Sequence, residues 1–153
     1  IDLTSLNMHQ NPISTIDLSN NLNLEKLTAG WCPLTSLDLT NNTLLTGLML
    51  HICSLTSLNV TNNTALYNFS CSNNQISVLD LSQNTNLHTI VCTTNNMSSL
   101  YLGSVLDLNQ LTTFEATNNP NLTIHVGTAQ RVIDFQNIFI AGTHYDVGIN
   151  ITI

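Results

Sequence analysis

The four cysteines fall into two pairs, Cys32/Cys53 and Cys71/Cys92, and the members of each pair stand 21 residues apart. If the chain coils with that period, stacked neighbours bring such Cα atoms to about 4.8 Å, inside the range a disulfide spans. Their Cβ vectors then run parallel, which makes the dihedral near 90° that a disulfide needs awkward. Two pairs of buried thiols packing as small apolar groups are therefore the expectation. Zinc is not expected, because no second ligand pair converges with C-x-x-C spacing. The histidines are His9, His51, His88, His125 and His144. His9 and His51 share one outward column but lie two coils apart, roughly 9–10 Å, with Gly30 between them, too far for one metal to bridge. Solvated surface imidazoles are expected at all five positions.

Asp17, Asp38 and Asp80, with Asn59 in the same series, form a second outward column. A carboxylate ladder could collect Ca²⁺, but the ligands are few and the glycine-rich loop of a calcium-binding roll is missing. These side chains are expected to accept hydrogen bonds from nearby backbone or Ser/Thr groups. No Ser/His/Asp order and no paired carboxylate supports nucleophilic or acid–base catalysis. No catalytic residue, no metal and no cofactor is expected.

Charge narrows the partners. The net charge is −7, and Lys26 and Arg131 are the two basic side chains. Nucleic-acid binding needs clustered Lys/Arg to release phosphate counterions, and docking on anionic membranes needs the same. Charged residues are 7% of the chain against roughly 25% in ordinary soluble proteins, so Asn, Thr and Ser must supply the polar surface. No apolar run approaches the roughly 20 residues of a membrane span. The absence of an initiating Met and of a signal peptide reads as a mature product or an excised fragment.

The element that must position these groups is a repeat. Leu3, Leu24, Leu45, Leu66 and Leu87 are 21 residues apart, and a sixth copy opens at Leu111, delayed by three. Each copy reads L-x-x-L-x-(L/A/C)-x-x-(N/C)-x-(L/I/M), which is a leucine-rich-repeat signature. A second stripe fills the other half of each unit, as in Leu34-x-x-Leu37-x-Leu39-x-x-Asn42 and Ile76-x-x-Leu79-x-Leu81-x-x-Asn84. The L-x-L alternation argues strand, and Asn-rich links such as Asn73-Asn74-Gln75 are turn chemistry, since Asn tolerates φ > 0. The expected fold is a β-rich, right-handed leucine-rich-repeat solenoid. A parallel sheet lines its concave face, short extended segments lie opposite, and there is little helix. Single coils cannot bury their Leu stripes, whereas stacked coils share one core. Residues 1–120 read as an array of about six coils and 121–153 as a strand-rich C-terminal cap, including the alternation Val147-x-Ile149-x-Ile151-x-Ile153. No comparable cap precedes Leu3, which predicts more coils or a cap upstream.

The segments LTSLDLTNNT (34–43) and LTSLNVTNNTALYNFSCSNNQ (55–75) resemble the 21-residue, cysteine-bearing repeats of listerial internalins of the J type. They are still more similar to the secreted leucine-rich-repeat proteins of Bacteroidetes, whose arrays close on segments like NNPNLTIHV (118–126). The resemblance covers about residues 3–126. It implies an extracellular recognition or adhesion module on, or secreted from, a bacterial cell.

Three outward columns of the first stripe are candidates for contact. One runs Ser5, Lys26, Gly47, Asn68, Thr89, Thr113; the next Asn7, Thr28, Met49, Ser70, Val91, Glu115; the third His9, Gly30, His51, Ser72, Thr93, Thr117. From these, Thr28, Met49, His51, Ser70, Ser72, Val91 and Thr93 are singled out as partner-binding. Trp31 joins them: its ring either packs on the coil edge or stands exposed as an interface anchor. The function expected is non-enzymatic binding of a protein or glycan on a surface. The alternative is a self-assembling surface or filament component, joining through its N-terminal edge and the strand-like end. Ice or polysaccharide binding by Ser19, Thr40, Thr61 and Ser82 is opposed by the interspersed Asp residues.

Overall fold

Each repeat folds its L-x-L core into one three-residue strand. In the computed structural model, which describes residues 2–139 and 149–153, these strands are β1 (Ser5–Asn7), β2 (Lys26–Thr28), β3 (Gly47–Met49) and β4 (Asn68–Ser70). Strand β5 (Val78–Asp80) belongs to the second stripe, and β6 (Thr89–Val91) returns to the first. Then come β7 (Ser99–Tyr101), β8 (Thr113–Glu115) and β9 (Thr123–His125). Helix α1 (Ala129–Ile138) and β10 (Asn150–Thr152) close the chain.

Strands β1, β2, β3, β4, β6 and β8 form a parallel sheet in that order. Its register has no slip: Leu6, Leu27, Leu48, Phe69, Ile90 and Phe114 lie beneath one another as a single rung. From Leu27 onward every member of that rung is fully buried, while its neighbours face out. The fold is a parallel β-solenoid of leucine-rich-repeat type with about six turns. The three-residue delay before the sixth copy is absorbed by a loop that exposes Val105 and tucks Leu106 and Leu108 into the core.

The second stripe behaves differently along the array. In the first three coils it runs without strand pairing, as expected. From the fourth coil it forms a second parallel sheet, β5–β7–β9–β10, with its own rung Leu79, Leu100, Ile124, Ile151. Val78, Tyr101, Thr123 and Ile124 enrich these segments in β-branched and aromatic residues, which suits a pleated surface better than the Asp/Ser-rich earlier stripes.

Two polar ladders run through the stack. At the ninth repeat position, Asn74, Asn95 and Asn119 donate from Nδ2 to the carbonyls of Leu50, Cys71 and Cys92 in the preceding coil. Cys32 and Cys53 stand in that place and donate from Sγ to the corresponding Met8 and Ala29 carbonyls. A thiol lacks the amide's second function: Asn74 Oδ1 also accepts from Leu55 N, whereas Leu34 N turns back to Cys32 O. The other ladder, Asn42, Asn63 and Asn84, is buried in the turns after the second stripe. Each Nδ2 bridges two carbonyls of the coil before it.

A left-handed residue recurs just before the ninth position: Gln10, Trp31, Ile52, Asn73, Thr94 and Asn118 all have φ between 55° and 60°. Asn73 and Asn118 suit it, but a β-branched residue there is strained by about 1–2 kcal/mol. Thr94 is exposed, so little packing is at stake. Thr94→Asn is expected to raise the unfolding free energy by about 1 kcal/mol, read from its urea midpoint. An unchanged or lower midpoint would refute strain at this position.

The C-terminal region departs from the strand-rich expectation. Beside β9 and β10 it contains α1, whose first turn is capped by Thr128 Oγ1 accepting from Arg131 N. Val132, Phe135 and Phe139 recur at helical spacing. Phe135 and Phe139 pack on Phe114 with ring centres 5.1 Å away, which covers the last rung. Val147 and His144 lie outside the described residues.

A candidate binding groove on the first sheet

Gly47 leaves a gap in the outermost column of the first sheet. The nearest atom to the place where its Cβ would stand is Lys26 Cγ at 3.6 Å. The gap opens into a groove of about 620 Å³ between Lys26 and Thr28 on one side and Tyr67, Asn68, Asn86 and His88 on the other. Thr46, Met49 and Ala65 complete its floor and rim. Register explains the arrangement. Tyr67 and His88 occupy the same repeat position in adjacent coils, so their rings meet face to face, 3.9 Å between centres and 17° from parallel. His88 Nδ1 lies 2.9 Å from Asn86 O, which fixes the imidazole. Met49 is 44% exposed and Tyr67 46%. The groove thus offers an aromatic platform, a polarizable thioether, one ammonium and several amides. It can make stacking, apolar and hydrogen-bond contacts.

The residues singled out from sequence divide. Thr28 and Met49 line the groove. Ser70 and Val91 lie half-buried on β4 and β6, outside it. Ser72 is buried, and its Oγ accepts from both the backbone N and the Oγ1 of Thr93, so these two hydroxyls satisfy each other. Trp31 stands 54% exposed at φ 60°, so its ring is open to solvent rather than packed on the coil edge. Lys26, Gly47, Tyr67, Asn68, Asn86 and His88 were not among the residues singled out. The usable signal was Tyr67 and His88, an aromatic and an imidazole one repeat apart.

His51 requires a correction. Although His9 and His51 are two coils apart in backbone, their rings lean together over Gly30, with centres 5.4 Å apart and planes at 44°. The missing Cβ of Gly30 is what lets them meet. The Asp column follows expectation: Asp17, Asp38 and Asp80 accept from the backbone N of Ser19, Thr40 and Ser82, and Asn59 from Thr61. The hydrogen bonds from Ser19 and Thr40 hold the Asp17 and Asp38 carboxyls below the usual carboxylate range. All four cysteines are free thiols. Burial pushes Cys53 and Cys71 up, and Cys92 to about 12, so these three thiols are not ready nucleophiles near neutral pH. Among the described residues no group of three or more His, Cys, Asp or Glu is placed to hold a metal, and no helix is long and apolar enough to cross a membrane.

A solved structure, described as the functional domain of InlJ from Listeria monocytogenes, which includes a cysteine ladder, superimposes with a TM-score of 0.61 over 81% of this chain, at 26% sequence identity. This is an internalin-like leucine-rich-repeat fold. The chain spans 39% of the length of that internalin domain. No protein-family model matches the chain, and no curated protein is significantly similar to it. The internalin likeness fits a binding or adhesion module of a surface protein.

Proposed function

We propose that the chain is a non-enzymatic module of a secreted or cell-surface bacterial protein. It recognises a surface protein or glycan through the concave outer face of its first sheet, centred on the groove over Gly47. The observation that carries this reading is the pairing of exposed Met49 and the Tyr67/His88 stack with a cavity of about 620 Å³. Exposed aromatics beside a preformed concavity are the usual anchors of recognition. An extended array of outward columns without a closed pocket suits a macromolecule better than a small substrate.

Gly47→Phe tests it. The site of the added side chain is open apart from Lys26, so the variant should fold with an unchanged melting temperature. Its affinity for partners found on glycan arrays and immobilised cell-surface proteins should fall at least tenfold. The triple variant Met49→Lys, Ser70→Lys, Val91→Lys should abolish binding. Unchanged affinity of both variants for every partner found would reject recognition by this face. Self-association through the edge strand β1 is the competing reading, and a strict monomer by light scattering at high concentration removes it.

A further inference from the structure

We propose that the groove over Gly47 takes a glycan carrying a hexuronic acid, its pyranose ring stacked on Tyr67 and its carboxylate paired with Lys26. This rests on the reading of that groove as a recognition site and names its ligand class. His88 covers one face of the Tyr67 ring, with 3.9 Å between centres, yet Tyr67 keeps 46% of its surface exposed. The exposure therefore belongs to the ring's edge and its other face, on the side of Thr46 and Gly47 in the preceding coil. Neither neighbour fills that side: Gly47 has no side chain, and Thr46 Oγ1 donates back to Glu25 O at 3.2 Å. Lys26 stands opposite, two coils from Asn68 in the same column, roughly 9–10 Å between backbones. Its Cγ leans to 3.6 Å from the place of a Gly47 Cβ. That width admits a single saccharide ring between the Lys26 stem and Tyr67.

The polar groups around the groove select the ligand. Thr28 Oγ1, the Asn68 amide and Lys26 Nζ make no hydrogen bond or ion pair among the described residues. Asn86 spends only its Nδ2, on Thr64 O. An apolar side chain of a protein partner would bury these groups unpaired, which is costly. A peptide backbone gains little, because the groove lies over the middle of the sheet, where β2, β3 and β4 pair with one another, and not at an edge. A pyranose matches: axial C–H groups make its faces apolar, and hydroxyls around its rim meet the unspent groups. In β-glucuronic acid the carboxylate and hydroxyls all lie equatorial, so the ring face stays clear for Tyr67 while the charge sits at the rim. Lys26 supplies the groove's ammonium, and no carboxylate is among its lining side chains. An anionic substituent thus finds its counter-charge here, on a chain of net charge −7.

The probe is a hyaluronan hexasaccharide, an unsulfated chain with glucuronate at alternate rings, titrated calorimetrically against the full chain beside its carboxyl-reduced form. The acidic probe should bind at least tenfold more tightly. Lys26→Met, which keeps the apolar stem, should bring the two probes level, and Lys26→Arg should retain the preference. Tyr67→Ala should weaken both at least tenfold. Both side chains are exposed, so melting temperatures should not change. Equal affinity for the two probes, a preference that survives Lys26→Met, or no binding of either would overturn the proposal. Gly47→Phe separates it from the broader reading. If that variant abolishes capture of a protein partner while neither probe binds, the groove stands and its glycan falls. If it leaves uronate binding intact, the glycan lies elsewhere and the proposal falls.

Discussion

Phe69→Ala is expected to lower the unfolding free energy by about 3–5 kcal/mol. Phe69 is the largest side chain of the fully buried rung in the middle coils, between Leu48 and Ile90. Truncation removes apolar burial and leaves a cavity that the flanking rungs cannot close, because each is pinned by backbone pairing to two neighbours. Leu6→Ala, in the half-buried first rung, should cost well under half as much, since one of its faces already meets solvent. In a quasi-one-dimensional stack, position along the array sets the cost. Urea titrations of both variants measure it, and equal losses would refute a continuous core graded from end to end.

Alkali should unfold the chain through its thiols. Cys71 and Cys92 are fully buried, and desolvation raises both far above the ordinary value of 9.0, Cys92 to about 12. Above pH 9 the unfolded chain releases these protons while the folded chain retains them. The sign follows: stability is fully present below pH 9 and is lost as pH climbs towards 12. The slope is about 1.4 kcal/mol per pH unit for each thiol, or roughly twice that for the pair. Urea midpoints at stepped alkaline pH should show the decline, and the double variant Cys71→Ala, Cys92→Ala should flatten it relative to wild type. An equally steep decline in the double variant would assign the loss to other groups.

Much of the fold could be read directly from spacing, because a 21-residue period constrains every coil at once. Leu48, Phe69 and Ile90 had to stack if any of the array did, and the free thiols and the Asp17, Asp38 and Asp80 turns followed from that geometry and local hydrogen bonding. Features that depend on a missing or reoriented side chain were harder to read. Gly30 and Gly47 appear in a column as blanks, yet one lets His9 and His51 meet and the other opens the groove. Backbone spacing alone placed the two histidines too far apart, since it ignores where a ring leans when its neighbour has no Cβ. Helix α1 was hidden by the strand-like alternation nearer the C-terminus, although Val132, Phe135 and Phe139 carry its period. Thr28 and Met49, which line the groove, were singled out because they are outward and uncharged, a criterion that Ser72 and Thr93 also satisfied while bonding each other.

The account stands on adjacent coils pairing in parallel, 21 residues out of phase, so that outward columns become a surface. Long-range nuclear Overhauser contacts in the isotope-labelled chain test this directly. Cross-strand contacts should join the backbone protons of Leu27, Leu48, Phe69 and Ile90 in unbroken succession, with Tyr67 ring protons contacting His88. Contacts offset from that register, an antiparallel pattern, or their absence between Leu48 and Phe69 would contradict the stack and, with it, the groove built upon it.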